Sequence, residues 1–481
     1  MISPKAIMDQ VTSLERNRNV HLNYKGVDCW PVVRNTLMTL ATHGAKKEAR
    51  KSQVLGMVKA FFSFLSLILF PTPVYAAILT DYKYQTYFAG AYWFRDASVV
   101  KRTLEQKGLS SAVLTQNPPG TRGRIGGSHT IYFLIALASL LSRVLRRLDR
   151  SGKLEDYVDG IFASREVADL VQSGQVTRER LIRNIYFVIV ARFLFVILLR
   201  RLQAKKCFIV CYYSCLGMAL CAACRSLSIE AVDMQHGVSG SAMRAYGRWS
   251  SFPVGGQLNT LPDTFYCWTE MDRKSITEWG AMTDGQHRAL LTGNLWRDFL
   301  AQAELDGGMT ESIEDSQLAK LCSQYARVIV FCAQRNPMPE LIREAIIRAP
   351  ADWLFLIRLH PDTEHSQLSA VQSLYKAIGS NVEVVDATKA SIRSVMKLAD
   401  IHLTEWSGAV YDAFFEGVDS IVLTAYGEDY FSDFVDQGVV TRMSTPDKLV
   451  ACIAEKLGSP SVSSNFRDLG AKESILELMT S

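Results

Sequence analysis

Residues 206–237, KCFIVCYYSCLGMALCAACRSLSIEAVDMQHG, decide the fold. Cys207–Tyr213 is an apolar and aromatic run of strand length, and Leu216–Ser226 is a small-residue run of helix length. Glu230–Met234 is a second short apolar run, and it stops on Gln235-His236-Gly237. Strand, helix and strand within about 30 residues make a β-α-β unit, so a parallel pair with a right-handed crossover is expected. Ligands of open parallel sheets gather where the strands end, which puts the polar residues after Met234 at the functional edge.

The same alternation extends in both directions. Downstream, Val328–Cys332, Trp353–Arg358, Val382–Val385, Ile401–Thr404 and Ser420–Thr424 read as strands. Helical stretches at Pro339–Arg348, Ser366–Ile378, Ile392–Leu398 and Ala409–Glu416 separate them, which predicts a doubly wound sheet. Upstream, Val74–Thr80 reads as a buried strand followed by a Tyr-rich loop, Lys101–Gly108 as a helix, Ala112–Thr115 as a strand, and Asn117-Pro118-Pro119-Gly120 as a turn. Trp30-Pro31 is expected to stop or turn the chain. At 481 residues there is too much chain for one core. The expected class is therefore α/β, with two Rossmann-like doubly wound domains facing a cleft, divided near residue 300, and extra helices in the amino-terminal half.

Charge is unevenly spread. Residues 1–210 hold 31 Lys+Arg against 14 Asp+Glu, whereas residues 211–481 hold 22 against 34. The basic residues flank apolar runs. Lys46, Lys47, Arg50 and Lys51 precede Val54–Phe70, and Arg143, Arg146, Arg147 and Arg150 follow Ile131–Leu141. Ile185–Leu199 is interrupted by Arg192 and followed by Arg200, Arg201, Lys205 and Lys206. This pattern favours an anionic membrane surface over nucleic acid. None of the runs is a clean 20-residue span, which leaves core helices and interfacial helices as the main readings. The first twenty residues are polar and charged, unlike a signal peptide, so a cytoplasmic protein peripheral to the inner face of the membrane is expected. The ten cysteines, scattered through apolar contexts, fit a reducing compartment and read as buried small residues, not as metal ligands.

Several residues could carry chemistry. His236 could take a proton from an acceptor hydroxyl, with Asp233 either orienting it or serving as the base; the sequence leaves both open. Gln235, Gly237 and Ser239 share that loop, whose glycines would permit close backbone approach. In the second domain Ser407 is a natural helix cap after the strand ending at Thr404, and Gly408 leaves room for a phosphate on the first amides of the helix. Asp412 stands one turn on, where a carboxylate could reach a ribose hydroxyl. His360, fixed by Pro361, could hydrogen-bond a departing phosphate, and Arg335 is a second anion-binding candidate. Arg358 adjoins His360, although strand alternation turns it to the opposite face. There is no Asp-x-Asp pair, no phosphate-binding G-x-x-x-x-G-K-[ST] loop and no G-x-G-x-x-G after a strand. Metal-held nucleotide diphosphates, ATPase chemistry and ordinary dehydrogenase chemistry are therefore unsupported, and neither metal nor cofactor is expected.

Taken in order, Val232-Asp233-Met234-Gln235-His236-Gly237, Gly293-Asn294, Leu359-His360-Pro361 and Leu403-Thr404-Glu405-Trp406-Ser407-Gly408 with Asp412 resemble bacterial surface-polysaccharide glycosyltransferases of the GT-B fold. The likeness is to the group of polysialyltransferases, Kdo transferases and CDP-glycerol polymerases. It implies an acceptor domain over residues 1–300 and a nucleotide-donor domain over residues 301–481. His360, Pro361, Thr404, Ser407, Gly408 and Asp412, with Arg335 and Arg358, would lie on the donor side. The sequence departs from the group in having Ser407-Gly408 where two hydroxyl residues are usual. The implied activity is transfer of a sugar from a nucleotide-activated donor, a CMP-sugar being favoured, to a lipid-linked or growing surface glycan. The alternatives are a nucleotide-sugar epimerase of the same fold, or a non-catalytic component of a polysaccharide assembly or export complex.

Overall fold

The computed structural model describes residues 3–43, 54–116, 128–168, 170, 176–305, 313–334, 336–360, 367–379 and 381–463. Arg335, Pro361 and the turn at 117–120 lie outside the described residues. Most of the chain divides into two compact units, residues 6–305 and 306–471.

The first unit is built on seven strands: β1 (Ala76–Thr80), β2 (Ser111–Thr115), β3 (Ser128–Thr130), β4 (Lys206–Val210), β5 (Glu230–Met234), β6 (Thr264–Cys267) and β7 (Arg288–Leu291). They lie in the order β7-β6-β5-β4-β1-β2-β3, and every pair is parallel. The chain winds from β1 out to β3, then returns across β1 to β4 and winds the other way. Residues 206–237 form the expected β-α-β unit, with Cys207 registered against Ala231.

Among the described residues these helices accompany the sheet: α1 (Pro4–Asn17), α2 (Cys29–His43), α3 (Val54–Leu69), α4 (Arg95–Gln106), α5 (Tyr132–Leu148), α6 (Lys153–Phe162), α7 (Arg178–Leu202), α8 (Cys215–Ser226), α9 (Glu270–Gly280) and α10 (Leu295–Leu305). Trp30-Pro31 opens a helix instead of stopping one. Pro31 sits in the first turn of α2, where a missing backbone N–H costs no helical hydrogen bond. A two-residue turn at Lys25-Gly26, both with positive φ (51° and 78°), closes a short hairpin just before it. The expected Tyr-rich loop is a 3-10 turn, Tyr82–Tyr84, followed by an antiparallel hairpin of Gln85–Phe88 with Ala91–Phe94. Cross-strand aromatic pairing stabilises that hairpin; the rings of Tyr87 and Tyr92, directly opposed, are 5.1 Å apart.

A fully buried ion pair ties the amino-terminal helices to the segment that follows β5. Arg34 Nε donates to Glu15 Oε1 at 2.9 Å, and Trp30 Nε1 donates to the same oxygen at 2.8 Å. Arg34 Nη2 donates to the Gly247 carbonyl at 2.8 Å, its guanidinium lies 4.1 Å from the Trp249 ring, and Ser250 donates to Glu15 Oε2. Every charge here is met by a hydrogen bond, the condition under which burying one is tolerable.

In the second unit β8 (Arg327–Cys332), β9 (Trp353–Arg358), β10 (Val382–Glu383), β11 (Ile401–Thr404), β12 (Ser420–Val422) and β13 (Val440–Arg442) form a wholly parallel sheet in the order β10-β9-β8-β11-β12-β13. Both faces are covered. Ile329, Phe331, Phe355 and Ile357 join one core cluster, while Val330, Cys332, Leu354 and Leu356 join the other. That two-sided burial explains why these strands read as continuous apolar runs. The expected strand at Val382–Val385 keeps only two residues, because Val385–Lys389 turns into a short helix. Both units therefore carry a Rossmann-like parallel sheet in which six strands follow the order 3-2-1-4-5-6.

Candidate functional site

A sheet wound this way opens a crevice at its carboxyl edge where the winding reverses. In the first unit that point lies between β1 and β4, and His236, leaving the adjacent β5, meets residues from both. Its ring stacks on Tyr213, which follows β4, at 5.6 Å and 27°, and meets the edge of Tyr84, which follows β1, at 5.0 Å. His236 Nε2 is 3.1 Å from the Tyr213 hydroxyl, while Nδ1 is buried and makes no hydrogen bond of ordinary geometry. Burial pushes the imidazole down to about 4; the Met234 carbonyl opposes this and Arg95 adds to it, so the ring is neutral at physiological pH.

β4 ends at Val210, earlier than its apolar run suggests, because Cys211 adopts a φ of +69° and swings Tyr212 and Tyr213 out of the sheet. The Cys211 thiol faces the hydroxyls of Tyr84 and Tyr213 and is pushed up to about 11 by burial. Ser214 then caps α8, accepting from Gly217 N at 2.9 Å. Gly217 is required, since a Cβ there would lie 2.4 Å from the Tyr212 carbonyl oxygen. Asn35 Nδ2 donates to the Tyr213 carbonyl at 2.7 Å, and the Arg244 guanidinium lies 5.6 Å from the Tyr213 ring.

The other expected residues of this loop have structural partners. Asp233 is not hydrogen-bonded to His236. It is buried beneath the loop, accepting from Tyr212 N at 3.1 Å and from the Tyr246 hydroxyl at 2.9 Å. Burial outweighs both bonds and raises its carboxyl to about 7. Gln235 bolts the loop to the neighbouring strand: Nε2 donates to the Gly237 carbonyl at 2.9 Å and to Asp272 Oδ2 at 3.1 Å, and Oε1 accepts from Trp268 N at 2.5 Å. Gly237 has open space where a Cβ would be. Ser239 is buried, its Oγ without a protein partner. Tyr84, Tyr213, Cys211 and Arg95 were missed in the sequence, because only the strand order shows that the ends of β1 and β4 adjoin.

In the second unit the winding reverses between β8 and β11. Thr404 Oγ1 donates to the Cys332 carbonyl at 2.9 Å, stitching these strand ends together, and accepts from Ser407 N at 3.1 Å. The helix Ala409–Glu416 follows. Its cap residue is the exposed Gly408, not Ser407, whose Oγ accepts from Ala409 N at 3.2 Å. Asp412 lies in the first turn of that helix. Gly427 allows the adjacent segment to close on this loop, since a Cβ there would fall 2.1 Å from the Glu405 carbonyl oxygen. His360 leaves β9, on the other side of β8, by the same carboxyl edge and is half-buried. Two strand spacings, about 10 Å, separate the strands that carry His360 and Ser407. Arg358 is clamped: its Nη1 donates to the carbonyls of Ala387 (2.8 Å), Thr388 (3.3 Å) and Ala390, closing off the helix Val385–Lys389. Among the described residues no group of three or more His, Cys, Asp or Glu side chains is arranged to hold a metal ion.

What fold and site define is an α/β protein with a Rossmann-like parallel sheet in each of two units. No family model matches the sequence, and no curated protein does. Among solved structures, the chain is similar to the UDP-GlcNAc 2-epimerase from Neisseria meningitidis bound to UDP-GlcNAc, with a TM-score of 0.48 and 12% identity over 84% of this chain and 97% of that one. A UDP-GlcNAc 2-epimerase from Methanocaldococcus jannaschii gives 0.48 and 12% over 84% and 99%. The wall teichoic acid polymerase TagF gives 0.43 and 10% over 89% and 98%.

Proposed function

We propose that the protein is a metal-independent glycosyltransferase that moves a sugar from a nucleotide-activated donor, by preference a CMP-sugar, to a lipid-linked or growing surface glycan at the cytoplasmic face of a membrane. The observation that carries this reading is the recurrence, in each unit, of the 3-2-1-4-5-6 order with a histidine-bearing loop at the carboxyl edge. Two such edges suit a reaction with two substrates.

The donor phosphate would lie on the amides at Gly408 and Ala409, displacing Ser407 Oγ from Ala409 N, with the helix dipole opposing its charge. His360 would donate to the same phosphate as the bond to the sugar breaks, and Arg335 would add a cation. Asp412 would reach the ribose. On the acceptor side His236 holds its unprotonated form at neutral pH and is oriented by Tyr213, so it can accept the proton released by the attacking hydroxyl. The buried, Tyr-bonded Asp233 leaves His236 as the stronger candidate for the base.

A thermal-shift panel of CMP, CDP and UDP tests the reading. Saturating CMP or CDP is expected to stabilise the protein by about 1–3 kcal/mol. His360→Ala should weaken that response and abolish transfer while the ligand-free melting temperature holds. No stabilisation by any pyrimidine nucleotide would refute the donor site.

A further inference from the structure

The apolar runs that lie beside basic clusters meet different fates. α7 is the one helix among the described residues long and apolar enough to cross a membrane, yet it is mostly buried, packed against α5 and α8. Its Arg192 Nε donates to the Ala222 carbonyl at 3.4 Å, and the guanidinium fills the space beside Gly26, so the charge is used within the protein. α3 and α5, in contrast, leave large apolar side chains in solvent. On α3 these are Val58, Phe61, Phe62 and Leu69, and on α5 they are Leu140, Leu141, Val144 and Leu148, each set falling on one side of its helix. Phe62 is 61% exposed and Leu148 72%. α7 adds only Phe193 and Ile197 at its outer surface.

The helices form one layer. The rings of Phe61 and Phe64 on α3 lie 5.0 and 5.8 Å from Phe133 on α5, and Arg201 of α7 donates to the Ile68 carbonyl at 2.8 Å. Acidic residues are nearly absent from it. α3 and α5 contain no Asp or Glu, and the single one on α7, Glu179, is paired with Arg146. Lys59, Arg143, Arg147, Arg150 and Arg200 stand exposed around the apolar stripes.

We propose that this layer is a docking surface for an anionic lipid bilayer, with α3 and α5 lying in the interface, their apolar stripes among the acyl chains and the arginines on lipid phosphates. Charge selects the occupant, because a second copy of the chain would bring the same positive face against itself. Length selects the mode: at 16 and 17 residues, with one side packed on protein, α3 and α5 are too short to span the ~20 residues a bilayer requires. The proposal does not depend on the glycosyl-transfer reading.

Co-sedimentation of the full chain with phosphatidylcholine vesicles, with and without about a quarter phosphatidylglycerol, tests it. Partition onto the anionic vesicles is expected to be roughly tenfold stronger and to fall with salt. The triple variant Phe62→Ser/Leu148→Ser/Phe193→Ser and the charge reversal Arg143→Glu/Arg147→Glu should each lose about tenfold while melting like the parent, since all five side chains are at the surface. Absence of binding to anionic vesicles, or equal binding by parent and both variants, would overturn the proposal. So would a dimer in solution that the triple variant abolishes with no change in vesicle binding.

Discussion

Replacing Asp233 by Asn separates the two roles its position allows. The carboxyl is raised from 3.8 to about 7 because burial costs the charged form more than the bonds from Tyr246 and Tyr212 N return. The native protein therefore keeps a proton at this site that the unfolded chain releases above pH 3.8. The native state gains stability from this group below pH 3.8 and loses it as the pH rises through 7. Between pH 5 and pH 7 the loss is two pH units at about 1.4 kcal/mol each, so the parent should fall by about 3 kcal/mol relative to a side chain that does not titrate. Asn can accept from Tyr212 N through its oxygen and donate to a reoriented Tyr246 hydroxyl, so Asp233→Asn should approach or exceed the parent in stability above pH 7. Urea denaturation of both proteins at intervals from pH 5 to pH 9 measures the difference, with all other titrating groups cancelling. Parallel stability curves would refute the argument, by showing that the two bonds hold the carboxylate at no cost. Transfer activity retained in the Asn variant would leave His236 as the base, whereas its loss with stability intact would return Asp233 to that role.

Tyr213→Phe should leave the melting temperature close to that of the parent and lower the turnover number at least tenfold, with KM for the donor unchanged, because the ring that stacks on His236 stays while the hydroxyl shared by His236 Nε2 and the Cys211 thiol is lost. Arg358→Met, which removes a charged donor shared by the Ala387, Thr388 and Ala390 carbonyls, should cost about 2–3 kcal/mol in urea denaturation yet leave the nucleotide dissociation constant unaltered. A weakened constant would show that Arg358 also serves the ligand. Arg34→Leu strands the Glu15 carboxylate in the core and should cost about 3–5 kcal/mol, read as loss of the folded baseline at a lower urea concentration.

Much of this architecture is legible from short-range pattern. The strands at Glu230–Met234, Trp353–Arg358 and Ile401–Thr404 fall where their apolar runs do, since two-sided burial leaves no alternative for such segments. Trp30-Pro31 misleads because a proline is compatible with the first helical turn, and nothing local says that a helix begins there. Val385 leaves its run because Gln372 Oε1 accepts from the backbone amides of Val384 and Val385, a contact made from a different helix. The histidines are readable as polar residues at strand ends. Their company is not: Tyr84 and His236 are far apart in sequence and meet only because β4 inserts beside β1. The long helix α7 shows the same limit, as composition alone cannot distinguish a greasy core helix from a membrane span.

The cysteines hold one further consequence. Eight of the ten are buried, and burial pushes the thiols of Cys29 and Cys332 up to about 12 and those of Cys221 and Cys267 well above their ordinary range. Thiolate is the form that reacts, so these sulfurs are dormant while the chain is closed. A maleimide pulse would then mark molecules at the moments they breathe, with Cys29 and Cys267 reporting on one unit and Cys332 on the other, and the protein would carry its own stopwatch for local opening.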